Sequence, residues 1–169
     1  MIDKKSQSIC VIPARGGSKG VLNKNIVDVL GSPLISFSIK SAIESDLFDR
    51  VIVSTDSKEI AEVSISYGAD VPFIRPPELS TDDSLVEDTF VHCLKFIEKN
   101  FKEYPYVCLR QATTPLVSKE DLIKSVVLFN EKNADMVVSV SKTPCNINWV
   151  GNIGKDLSMK NFNIMPIIF

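Results

Sequence analysis

Short apolar runs recur along this chain, and each is followed by a stretch with helical patterning. Ile9–Pro13, Val51–Ser54, Val71–Ile74, Tyr106–Leu109 and Met136–Val140 read as strands. Pro72 puts the third of them near a sheet edge, because proline cannot donate to a ladder. Ser32 as N-cap, with Pro33 at the first helical position, opens a helix running to about Ser45. Asp56 or Ser57 caps a second helix that ends near Tyr67, with Gly68 as its C′ residue. Val86, Phe90, Cys93, Leu94 and Ile97 fall on one helical face. Ser118-x-x-Asp121 resembles a capping box and opens a helix carrying Leu122, Ile123, Val126 and Phe129. Repeated strand–helix alternation predicts an α/β, Rossmann-like fold: a mainly parallel sheet with helices on both faces. In such sheets ligands bind beyond the carboxyl ends of the strands.

The first strand empties into Ala14-Arg15-Gly16-Gly17-Ser18-Lys19-Gly20, with Lys24-Asn25 close behind. Glycines let backbone N–H groups approach a ligand. Successive N–H groups in such a loop form an anion-binding concavity. Arg15, Lys19 and Lys24 add full positive charge. A strand leading into a basic, glycine-rich loop suits a polyphosphate. The G-x-x-x-x-G-K-[ST] and G-x-G-x-x-G spacings are both absent, which argues against a Walker A loop and a dinucleotide module.

The string Pro13-Ala14-Arg15…Ser18-Lys19-Gly20…Lys24-Asn25 resembles the signature of the cytidylyltransferases that activate nonulosonic acids, of which the N-acylneuraminate enzymes are the best known. Three further segments are similar to that family. They are Phe48–Asp56, which ends in Ser-Thr-Asp, then Arg75-Pro76-Pro77-Glu78-Leu79-Ser80-Thr81-Asp82, and Gln111-Ala112-Thr113-Thr114-Pro115-Leu116. All four lie directly after predicted strands. The resemblance implies a nucleotide-diphospho-sugar transferase type of fold. It also implies a reaction in which the anomeric hydroxyl of a sugar acid attacks the α-phosphate of CTP and pyrophosphate leaves.

Site roles follow from the same resemblance. Arg15 and Lys24 would hold the triphosphate and act as the catalytic cations. Ala14, Gly16, Gly17, Ser18 and Lys19 would line the cradle, though Lys19 could simply be solvated. Asn25 would face the nucleotide or form a local turn. Arg75 would donate to cytosine O2 and N3, or anchor the Pro-rich loop after it. Gln111, with Thr113, would contact the sugar acid. Arg110 would point to the opposite face if the strand extends that far. Val117 stands where some members carry arginine, which leaves the identity of the acid open. Asp56 reads as a helix cap rather than a metal ligand. Mg²⁺ is the implied cofactor, although no metal ligand can be named.

With 19 Lys and Arg against 21 Asp and Glu, the chain lacks the basic excess of a nucleic-acid-coating protein. No apolar run here is long enough for a membrane span. Cys10, Cys93, Cys108 and Cys145 show no C-x-x-C spacing, and a reduced, cytoplasmic setting is the natural reading. His92 and Cys93 are adjacent and point apart on a helix, which argues against a metal pair.

Residues 1–140 read as the nucleotide-binding cytidylyltransferase domain. The segment 141–169 turns polar, then closes on an apolar Ile164–Phe169. It is expected to be incomplete relative to the family, whose later part holds an acidic D-x-D segment. Weak turnover by this chain is therefore expected. Two alternatives stay open: a nucleotide-binding remnant without catalysis, and a CMP-Kdo synthetase-like enzyme. Homodimerisation is left open.

Overall fold

The computed structural model describes residues 7–17, 20–81 and 83–142. Ser18, Lys19, Cys145 and the segment from 143 onward lie outside them. The chain divides into two compact units, Met1–Ala134 and Asp135–Phe169. All helices and strands described below belong to the first.

Its centre is a three-stranded parallel sheet in the order β4-β1-β5. The strands are β1 (Ser8–Pro13), β4 (Arg50–Ser54) and β5 (Tyr106–Leu109). Between β1 and β4 lie two short strands, β2 (Asp28–Val29) and β3 (Ser32–Pro33), and the helix α1 (Leu34–Glu44). Three more helices follow: α2 (Lys58–Ser66), α3 (Val86–Asn100) and α4 (Lys119–Glu131).

The expected layering is present. Cys10 and Ile12 of β1, with Val51 and Val53 of β4, face a core built with Ile35 and Ile39 of α1, Ile60 of α2 and Leu122 of α4. Ile9 and Val11, with Ile52, face the other way, onto Cys93 and Ile97 of α3. Burial on both faces explains why these strands read as unbroken apolar runs. Cys10 and Cys93 are buried and Cys108 half-buried, all as free thiols. His92 meets the Phe73 ring edge-on. Among the described residues no helix is long and apolar enough to cross a membrane.

Two of the three predicted N-caps are formed; Ser32 lies in β3 and does not cap α1. Ser57 Oγ accepts from Ile60 N–H, and Gly68 takes φ +92° after the helix. Ser118 and Asp121 close a full capping box. Ser118→Ala should cost about 1 kcal/mol. The check is a lower urea midpoint at constant m-value; an unmoved midpoint would show that the packing of Leu122 holds this helix start.

Three expectations are corrected. Pro33 is not the first residue of α1. It is extended (φ −64°, ψ 141°) and pairs with Asp28, while Leu30 and Gly31 both take positive φ in a two-residue turn. This is the mirror-image turn that matches strand twist. Residues 71–74 form no strand: the backbone makes only isolated bridges, Asp70 to Ile52 of β4 and Ile74 to Thr55 just beyond it. Pro72 supplies no N–H between those two bridges. Residues 136–140 also form no strand, and Met136, Val138 and Val140 are exposed. Alternating apolar side chains favour a strand only where a neighbouring ladder and packed face exist.

Candidate functional site

Parallel pairing brings the carboxyl ends of β1, β4 and β5 to one edge of the sheet. A cavity of about 330 Å³ opens there. That is at the small end of the usual range for small-molecule sites. Its lining includes Arg15, Lys24, Asn25, Arg75, Gln111 and Thr113. Six of the residues singled out from sequence, from segments far apart in the chain, therefore share one hollow.

The first loop is tied down at several points. Ala14 is buried, and its N–H donates to Ser54 O at 2.9 Å. It belongs to the core and not to the cavity lining. Asn25 is also buried, and its Nδ2 donates to Arg15 O at 2.9 Å. It staples the loop across ten positions, which a local turn former does not do. Gly16 N–H donates to Asp56 Oδ1 at 3.0 Å. A Cβ on Gly16 would lie 3.1 Å from Ser57 Cβ, so this close approach favours glycine. The Gly16 amide is thus already committed, contrary to its expected place in an anion cradle. Gly17 has open space around its Cα.

Asp56 does not cap α2; Ser57 does. The aspartate instead joins the first loop to Arg75, whose Nη2 lies 3.6 Å from the Oδ1 that Gly16 uses. Arg75 is 3% exposed. Its Nε donates to Ser80 Oγ at 2.9 Å and its Nη1 to Ser54 O at 3.4 Å. Burial pushes this guanidinium below its usual pKa, Asp56 opposes that shift, and the like charge of Arg15 adds to it. The group remains cationic. The loop-anchor reading of Arg75 is therefore satisfied while the same residue lines the cavity.

The opposite wall was not singled out as a site from sequence. Leu79, Thr81, Ser84, Val86 and Thr89 line it. Arg15 Nη1 donates to Thr81 O at 2.7 Å and so spans the two walls. Thr81 N–H donates to Ser84 Oγ, and Thr89 Oγ1 donates to Leu79 O. The signal available was position: these residues close the Arg75–Asp82 segment and open α3.

Among the described residues, no aspartate or glutamate lines the cavity. Arg15, Lys24 and Arg75 thus share a concave lining without a carboxylate among the described residues, beside apolar surface from Pro13, Leu79, Val86 and Ala112. An anion with a flat, partly apolar group attached fits this combination.

The model of a family described as cytidylyltransferase matches residues 9–148. The chain belongs to the cytidylyltransferase family. It is 38% identical over 136 residues to the pseudaminic acid cytidylyltransferase of Campylobacter jejuni (serotype O:2), covering 80% of this chain and 59% of that protein. It is 37% identical over 145 residues to the CMP-N,N'-diacetyllegionaminic acid synthase of Legionella pneumophila, covering 86% and 62%. The chain thus spans about three fifths of the length of these relatives. A solved CMP:2-keto-3-deoxy-manno-octonic acid synthetase complexed with CTP has the same fold, with a TM-score of 0.63 at 22% identity. That match covers 76% of this chain and 49% of the other. In this cytidylyltransferase-family chain the cavity occupies the strand-end position expected of ligand sites in parallel sheets.

Proposed function

We propose that this chain binds CTP and transfers CMP to a nonulosonic acid of the sialic, pseudaminic or legionaminic kind. One observation carries the reading: Arg15, Lys24 and Arg75 share a cavity whose lining, among the described residues, has no carboxylate, with Gln111 and Thr113 on the same lining. The named relatives act on acids of this class.

The anomeric hydroxyl oxygen of the acid forms a bond to the α-phosphorus and gives up its proton to solvent, while the α–β phosphoanhydride bond breaks and its electron pair leaves with pyrophosphate. Arg15 and Lys24 are suited to hold the triphosphate and the departing pyrophosphate, supplying fixed positive charge where negative charge accumulates. The Gly17 amide, with Ser18 and Lys19, completes the cradle in this reading. Arg75 has N–H groups left for cytosine O2 and N3 after Ser80 and Ser54 are served. The Gln111 side chain both donates and accepts, which suits a polyhydroxy acid. The reaction is assigned to the cytoplasm, where the free thiols stay reduced.

CTP would arrive as its magnesium complex. Mg²⁺ usually takes one or two protein carboxylates besides phosphate oxygens. The cavity lining supplies none among the described residues, so no step is assigned to the ion. That same lining favours a second reading, nucleotide binding without transfer.

Calorimetric titration with Mg²⁺ should show CTP bound at least about tenfold more tightly than ATP, equivalent to ~1.4 kcal/mol. Equal affinities would remove the cytidine assignment. Pyrophosphate release with CTP and a panel of the three acids then separates transfer from binding alone.

A further inference from the structure

β5 ends at Leu109, and Arg110 continues its alternation, on the inward side with Tyr106 and Cys108. Arg110 N–H still donates to Val11 O at 3.0 Å, but its side chain is buried at 5% exposure while Gln111 beside it is exposed. Arg110 Nη2 donates to Val117 O at 2.9 Å, to Thr114 O at 3.4 Å and to Ser41 Oγ of α1 at 3.1 Å. Its Nε has no hydrogen-bond partner among the described residues. No aspartate or glutamate there makes an ion pair with it; Asp121 acts only at a distance.

A guanidinium in this setting is costly for stability alone. A buried charge without an opposite partner is normally avoided. What this one does is gather peptide carbonyls of a single loop. The loop is held from the same helix at a second point. Gln111 O accepts from Ser38 Oγ at 3.2 Å, from Thr114 N–H at 3.3 Å and from Thr114 Oγ1 at 3.0 Å. Ser38 and Ser41 are three positions apart on α1 and so share a face. The clamp lies behind the stretch Gln111–Thr113 that lines the cavity.

We propose that Arg110 is a positioning residue for the acceptor side of the cavity: by fixing the Thr114 and Val117 carbonyls it presents Gln111 and Thr113 to the sugar acid. The assignment of that side rests on the function proposed above. All three acceptors lie around the single Nη2, whose N–H directions are fixed by the planar guanidinium, whereas a lysine ammonium turns freely on a flexible stem.

The test uses the full 169-residue chain, with two readouts independent of turnover. The first is ¹⁵N relaxation. Residues 111–114 and 116–117 should show order parameters near ~0.85 in the wild type and fall toward ~0.6 in Arg110→Met. The second is binding of CMP and of the CMP esters of N-acetylneuraminic, pseudaminic and legionaminic acids. The preference for the best ester over CMP should drop by about 10- to 100-fold in Arg110→Met, as misplacement of a positioned group does. CMP affinity itself should stay within about twofold, since the charged wall is untouched. Arg110→Lys keeps charge and bulk, guards against a misfolded methionine variant, and should also lose the preference. Retained loop order, a full preference in the lysine variant, or parallel loss of CMP affinity would each overturn the proposal. A wild type that binds no ester better than CMP would overturn the sugar-acid reading instead, and the relaxation data would then decide the clamp by themselves.

Discussion

Asp56→Ala should destabilise the fold by about 1–3 kcal/mol, the penalty for removing the acceptor of a half-buried N–H and the counter-charge of a buried guanidinium. Two groups lose one acceptor together. The Gly16 N–H sits 3.0 Å from Asp56 Oδ1, and the Arg75 guanidinium, 3% exposed, lies 3.6 Å from the same atom. Breaking a fully buried pair costs about 3–5 kcal/mol. The estimate here is smaller because the pair is long and the aspartate side chain is 25% exposed. Asp56→Asn should cost less, since an amide oxygen still accepts from Gly16. Both variants should weaken CTP binding, because Asp56 links the first loop to Arg75 and both line the cavity. Urea unfolding and CTP titration check the pair. An alanine variant within about 0.5 kcal/mol of wild type, the ordinary range for a surface site, and with unchanged CTP affinity would remove Asp56 from the site.

The role of Asp56 shows where sequence reading stops. As a residue just before a helix, aspartate is a good N-cap. Nothing local distinguishes that role from a bond to Gly16, forty positions earlier. Ser57, its neighbour, fills the local role. The strands were legible for the opposite reason. β1 and β4 are buried on both faces, so their burial is written into consecutive residues. The capping box at Ser118 was legible because both of its partners lie within one turn.

The hairpin Asp28–Pro33 carries two conventional cues, Gly31 and Asp28, whose Oδ1 accepts from the Gly31 N–H at 3.2 Å. Leu30 is an unusual residue at φ +54°, and it is 97% exposed. Its turn is held by ladder pairing and by Leu34 N–H donating to Val27 O, neither of which is a composition signal. The cavity followed the same division. Its basic side was visible as a motif in the first loop. Its Thr81–Thr89 wall depends on how α3 packs, which is a tertiary fact. The inward side of Arg110 was legible, because strand alternation sets it opposite Gln111, while its carbonyl partners at Thr114 and Val117 were not.

Arg15→Ala should weaken CTP binding by about 10- to 150-fold. This corresponds to losing one or a few charge-assisted contacts, with each hydrogen bond to a charged group worth about 1.5–3 kcal/mol. The side chain reaches across the cavity mouth to Thr81 O at 2.7 Å. That bond joins an exposed cation to a backbone carbonyl, and its loss should change stability by no more than about 1 kcal/mol. The decisive comparison is with CMP. If Arg15 grips the outer phosphates, CMP has nothing for it to hold, and CMP affinity should change by less than about threefold. Arg75→Met should do the reverse. It should weaken CMP and CTP by similar factors, because both carry the cytosine that this residue is proposed to read. Added salt should also reduce the difference between wild type and Arg15→Ala, since part of the grip is screened charge attraction. The measurement is a set of four titrations, CMP and CTP against each variant, beside the wild type. Equal losses for CMP and CTP in Arg15→Ala would move this arginine from the polyphosphate to the base or ribose. No loss for either would leave it as a tie between the two walls of the cavity.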